Sequence, residues 1–216
     1  MDAIEALMTT RAIRRFTDQQ VDIADIETCL RAAQQAPSGG NLQPQQYVVV
    51  TGAEPRRTLG ELYRQSFDRY ERTLPEPASF RDAAAESSWR RTRDASRHLA
   101  DHIGEAPVLV LFLQPLLAWV PYDDDGPMDI GRLDASVYPA VQNFCVAARA
   151  LGLGTALTTV VRIRTNEVLE LLGIPDDRFE IAALVPVGYP AGHFGVATRK
   201  PAAAVTHWDV WGNKRR

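Results

Sequence analysis

Ala36-Pro37-Ser38-Gly39-Gly40-Asn41-Leu42-Gln43-Pro44 closes one helical pattern and opens a strand. Upstream, Asp22 is placed to cap a helix that runs to about Ala36, with Asp25 in its first turn. Ile23, Ile26, Leu30 and Ala33 recur at helical spacing along it and are expected to face a core. Pro37 stops the helix. Downstream, Tyr47-Val48-Val49-Val50 within Gln46–Thr51 is the β-branched run of a buried strand. The Gly-Gly pair allows a backbone shape that other residues resist. Ser38, the Gly39 N–H and the Asn41 amide form a compact set of donors and acceptors. A plain helix-to-strand turn draws on the same residue types, so that alternative stays open.

The same alternation extends both ways. Asp2–Met8 reads as a short helix, Glu54–Tyr70 as a long one, and the region up to Ile103 as a third, with a Pro-rich loop at 73–79 between the last two. Pro107–Leu113 and Ile181–Val187 read as buried strands. Leu133–Leu151 is the clearest helix, with Val137, Val141, Phe144, Cys145, Ala148 and Leu151 as its apolar stripe. Pro139 is expected to kink it or delay its start, and Gly152 to end it. Thr165 is expected to cap a short helix over 166–172, and the acidic run Asp123-Asp124-Asp125 to be a mobile loop. Mixed helices and strands without a linker or repeat predict one domain over 1–216, with a central sheet packed between helices.

The segment Thr10-Arg11-Ala12-Ile13-Arg14-Arg15-Phe16 follows the short helix Asp2–Met8 and precedes the helix that Asp22 caps. Arg11 and Arg14, three apart, can converge on one anion, and guanidinium groups hold phosphate in bidentate fashion. A solvated basic turn is the competing reading. Arg199-Lys200 is a second possible phosphate contact. Basic groups together with the small polar turn at 37–44 suit a phosphorylated, flat, hydrogen-bonding cofactor, a description that flavin mononucleotide (FMN) meets.

Composition limits the alternatives. The chain has 216 residues and a formal net charge of -3, which disfavours a general nucleic-acid binder. Cys29 and Cys145 lie inside apolar helical patterns and read as buried, reduced thiols. No apolar run suits a membrane span and no leader pattern is visible at Met1–Thr10, so a cytoplasmic location is the expectation. His98 and His102 share a helix face at ligand spacing but lack the glutamate of a metallopeptidase helix, and no metal is expected. Gly152-Leu153-Gly154-Thr155-Ala156-Leu157 lacks the last glycine of a dinucleotide fingerprint and follows a helix, not a strand. Neither a G-x-S-x-G elbow nor a P-loop is present.

Five segments, in order, resemble the FMN-dependent nitroreductase family. Arg11–Phe16 resembles its R-S-x-R-x-F element, and Ala36–Pro44 its A-P-S-x-x-N-x-Q-P element. Asp134–Thr155 is similar to its central helix and the turn after it. Val185-Pro186-Val187-Gly188-Tyr189-Pro190 and Arg199-Lys200-Pro201 resemble its last two elements. The resemblance implies an α+β three-layer sandwich with a mostly antiparallel central sheet flanked by helices, in a homodimer. It implies an FMN oxidoreductase that takes hydride from NADH or NADPH and passes it to a nitroaromatic or quinone-like acceptor. Other reactions on the same scaffold (reductive dehalogenation, azoline oxidation, flavin destruction) and flavin binding without turnover remain alternatives. Arg11, Arg14 and Arg199 would grip the phosphate and ribityl chain. Pro37, Ser38, Gly39 and Asn41 would complete the partner's site, while Leu157, Thr158 and Thr159 would lie at the ring with a backbone N–H toward flavin N5. Ala12 replaces a serine common in the family but keeps its backbone N–H, and Gln45 stands where an aromatic is common. Chemistry would rest on the flavin, with no catalytic side chain of its own.

Overall fold

A computed structural model describes residues 1–116, 121–129 and 131–215. Its centre is β2 (Val108–Pro115), which pairs antiparallel with β1 (Gln46–Val50) on one side and β6 (Phe179–Gly188) on the other. β5 (Gly154–Thr155) adds a short antiparallel strand beyond β6, giving the order β1-β2-β6-β5. All three ladders of this sheet are antiparallel, and an isolated parallel bridge joins Ala12 to Thr155.

Period-2 alternation explains why both faces of this sheet are covered. Val108, Val110 and Phe112 point into one core, built with α2 (Ile23–Gln34) and α5 (Asp134–Ala150). Leu109, Leu111 and Leu113 point into the other, built with α3 (Ala53–Glu71), α4 (Ala83–His102) and α6 (Thr165–Leu172). The result is helix, sheet, helix, the α+β sandwich expected. Phe112 meets Phe144 of α5 edge-on at 5.5 Å and Tyr47 of β1 at 5.2 Å, the preferred arrangement for aromatic quadrupoles. On the other face Gly60 lets α3 approach the backbone at Gly104, where an added Cβ would sit 2.7 Å from a Cα atom.

Several expectations are corrected in detail. α1 (Ala3–Thr9) and α2 form with Asp2 and Asp22 as caps, but Ile23 is 49% exposed because it lies in the first turn of α2, ahead of the buried Ile26. Leu151, 38% exposed, falls just beyond the end of α5 and leaves its stripe. Pro139 does not delay α5, which starts at Asp134. Thr165 is the first residue of α6 rather than its cap, and its hydroxyl donates back to the Arg162 carbonyl. β1 is an edge strand, so only Val50 is fully buried. The acidic loop is a tight hairpin of β3 (Tyr122–Asp123) and β4 (Gly126–Pro127), with Gly126 at φ +114.

Both thiols are free and buried. Burial, with the Asp25 charge adding to it, pushes the Cys29 thiol up to about 12. Burial also raises the Cys145 thiol, against a hydrogen bond from Thr155. No described helix is long and apolar enough to cross a membrane. The chain closes with the one-turn helix α7 (Ala202–Val205) and an exposed tail.

Candidate functional site

The arginine segment is clamped at both ends. Ala12 bridges Thr155, and the Ile13 N–H donates to the Thr155 carbonyl at 2.8 Å. At the other end the Thr17 N–H donates to Tyr189 O at 2.8 Å, and Ala191 N–H to Arg15 O at 3.0 Å. The segment therefore lies beside the turn that follows α5, as part of the sheet edge. Gly154 makes this possible, since a Cβ there would meet Ile13 Cγ2 at 2.7 Å and its Cβ at 2.9 Å.

Arg14 is half-buried and Arg11 exposed. Burial lowers the pKa of Arg14, the nearby Tyr63 opposes that shift, and Arg11 adds to it. Arginine stays charged through such a change. Many arginines here sit in ion pairs, including Arg93, Arg97 and Arg162. Among the described residues neither Arg11 nor Arg14 has a carboxylate within reach. Two neighbouring cations, one partly desolvated and neither paired with a carboxylate among the described residues, could hold an anion.

The segment 157–159 follows directly. Thr158 pairs with Leu184 of β6 through two backbone bonds of 2.9 Å, and its hydroxyl lies 3.0 Å from the Tyr63 hydroxyl. Tyr63, only 2% exposed on α3, ties this segment to the same corner as Arg14. Leu157 is 44% exposed, and among the described residues its backbone N–H has no acceptor. Thr159 is exposed beside it.

The turn at 37–41 lies elsewhere. Gly39 N–H donates to Ser136 Oγ at 3.1 Å, near the start of α5, while Gln43 N–H donates to Ser38 Oγ at 2.9 Å. Gly40 and Asn41 both have φ +56, so the chain reverses through the left-handed region. Pro37, Ser38 and Gly39 line a concave region of about 1760 Å³ together with Leu42, Met128 and Leu133. Arg149, at the far end of α5, reaches Thr9 Oγ1 at 2.9 Å, next to the arginine segment. From Ser136 to Arg149 a helix rises about 20 Å, so α5 holds the turn and the arginine segment at opposite ends.

Of the residues singled out in the sequence, Arg11, Ala12, Arg14, Leu157, Thr158 and Thr159 are thus brought together. Pro37, Ser38, Gly39 and Asn41 form a second group, separate within one chain. Arg199 joins neither: it is exposed and, among the described residues, bonds only the Thr198 carbonyl at 3.1 Å. Tyr63 and Ser136 escaped sequence reasoning, being separated from their partners by 95 and 97 residues. His98 and His102 stack at 4.2 Å, but the Arg15 guanidinium approaches His98 Nδ1 at 3.0 Å, a neighbour that opposes a bound cation. Desolvation, then Arg15 and His102, lower the His98 pKa.

A model of the nitroreductase family matches residues 7–189. The chain is 28% identical to an FMN reductase [NAD(P)H] of Bacillus subtilis over an alignment of 225 residues, covering 99% of this chain and 76% of that one. It is also 28% identical to an iodotyrosine deiodinase of Thermotoga neapolitana, covering 83% and 84% of the two chains. A BluB-like flavoprotein from Clostridium difficile has a similar structure, with a TM-score of 0.75 at 21% identity over 96% of this chain and 99% of that one.

Proposed function

The chain belongs to the nitroreductase family, and we propose that it is an NAD(P)H-dependent FMN oxidoreductase, working as a homodimer with two sites. Bound FMN would supply the two-electron chemistry, between NADH or NADPH and a nitroaromatic or quinone-like acceptor in ping-pong order.

The donor set suits that cofactor. Arg11 and Arg14, without carboxylate partners, offer charge-assisted bonds to a phosphate, and the Ala12 N–H stays available where a serine hydroxyl is missing. Leu157 would offer the ring its N–H, unpaired among the described residues, beside Thr159 and beside Thr158, whose hydroxyl is held by Tyr63. Hydrogen-bond donors aimed at a developing negative charge stabilise it most where water is excluded. Arg199 would have to swing toward the phosphate, since its present contact is only to its own neighbour.

The observation that carries the reading is the separation along α5. One chain offers the cationic corner at one end and the Pro37–Asn41 turn about 20 Å away at the other. A two-fold pairing of chains brings each turn to the partner's corner and makes two equal sites, as an isologous interface requires. Within that dimer Pro37, Ser38, Gly39 and Asn41 complete the partner's cofactor site.

Anaerobic mixing of the FMN-loaded protein with NADH or NADPH, then with a nitroaromatic, tests this. Bleaching of the flavin by the nucleotide and recovery with the acceptor is expected. Flavin that stays oxidised with both nucleotides would rule out the oxidoreductase reading. A second reading is favoured by the deiodinase relative, which spans most of the chain. It is reductive dehalogenation, in which two electrons and a proton replace a carbon–iodine bond with carbon–hydrogen and iodide leaves. Iodide release from 3-iodo-L-tyrosine, with no turnover of the nitroaromatic, would select it.

A further inference from the structure

Gln45 occupies the position where the family resemblance favours an aromatic, and it is only 3% exposed. Its Nε2 donates to Gln34 Oε1 at 3.2 Å. The Tyr47 hydroxyl donates to the same oxygen at 3.1 Å. Gln34 Nε2 then donates to Gln43 Oε1 at 3.2 Å, and Gln43 Nε2 to Asn41 Oδ1 at 3.0 Å. Three amides thus run head to tail from the root of β1 to the turn.

An amide has an acceptor at one end and two donors at the other. Each bond in such a row therefore sets the polarity of the next. Asn41 receives its bond at oxygen, which leaves its Nδ2 as the group offered outward. The turn needs such support: Asn41 at φ +56 and Gln43 at φ +47 occupy the left-handed region without being glycine. Side chains hold such conformations only where their surroundings fix them. Gln45 Oε1 is buried without a partner, a cost that an apolar side chain of similar size would avoid. What the glutamine contributes therefore lies at its nitrogen, in the relay.

We infer that Gln45, Gln34 and Gln43 are positioning residues that orient Asn41 as a hydrogen-bond donor to the cofactor of the partner subunit. The inference rests on the FMN reading and adds to it three side chains that do not touch the cofactor themselves.

The test is a double-mutant cycle on FMN affinity, read by quenching of flavin fluorescence on the intact protein, with thermal midpoints measured alongside. Gln45→Leu weakens FMN by about three- to tenfold, the range for losing one hydrogen bond. Asn41→Ala weakens it by a similar factor. The double variant binds no more weakly than Asn41→Ala alone, because the relay then has nothing to orient. Gln34→Glu is the second variant: it keeps the volume and the acceptor for Gln45 and Tyr47 but has no donor for Gln43, so it matches Gln45→Leu. A merely structural role would lower the midpoints and give additive losses of FMN affinity. Additive losses, or Gln45→Leu and Gln34→Glu both binding FMN as the wild type does, would overturn the relay while leaving the FMN reading intact. A wild-type protein that binds no FMN would overturn both.

Discussion

Arg14→Ala weakens FMN binding by about 10- to 100-fold, the range for losing hydrogen bonds to a charged group. Its circular-dichroism spectrum remains that of the wild type. Arg14 is the half-buried member of the cationic corner and has no carboxylate to pair with among the described residues. Its removal deletes charge aimed at the ligand, and no buried carboxylate is left unpaired. Arg14→Lys retains part of the affinity, because an ammonium keeps the charge and loses the fork. Isothermal titration with FMN checks the series. An Arg14→Ala variant with unchanged affinity would remove Arg14 from the phosphate site.

Gly154→Ala destabilises the fold by about 1–3 kcal/mol, as overpacking does in a filled interior, and weakens FMN with it. The added methyl would lie 2.7 Å from Ile13 Cγ2 and 2.9 Å from Ile13 Cβ. Isoleucine is branched at Cβ and stiff at χ1, so rotation gives little relief. What must yield is the segment that carries Arg11 and Arg14, which hangs from the Ile13–Thr155 hydrogen bond. Denaturant unfolding measures the first effect and flavin titration the second. Gly152→Ala is a useful contrast: its φ of +81 brings strain, but nothing lies within 4 Å of the new methyl. It is expected to lower stability with a smaller effect on the arginine segment. Equal FMN affinity in Gly154→Ala and wild type would show that the cofactor does not depend on this contact.

Local chemistry made most elements legible. Asp2 and Asp22 cap their helices, Gly173 at φ +63 ends α6, and the apolar run at 108–113 is the central strand. What stayed hidden depends on distant residues. β5 is two residues long and exists because Thr155 meets Val187. No periodicity can report a strand that short. β1 reads as buried because it is β-branched, but edge position is a property of the whole sheet. Tyr63 looks like any core aromatic of an amphipathic helix until Thr158 is found beside it. Gln45 was visible as a departure from a pattern, whereas its role needed Gln34, on another element, to be seen. The arginine segment and the turn were both readable as candidate sites. Their separation by the length of α5 was not, since it requires knowing which end of the helix each one touches.

That separation makes a mixed dimer the most direct measurement. One chain carries Arg11→Ala with Arg14→Ala, the other Ser38→Ala with Asn41→Ala, and differently tagged chains allow the mixed species to be purified. If each cofactor site takes its cationic corner from one chain and its turn from the other, the mixed dimer has one site with both halves intact and one with both damaged. The visible spectrum then shows one FMN bound per dimer with wild-type affinity, although each variant alone binds weakly. A mixed dimer with no tight site would contradict the shared site, because a cofactor held within one chain leaves every site in that dimer damaged.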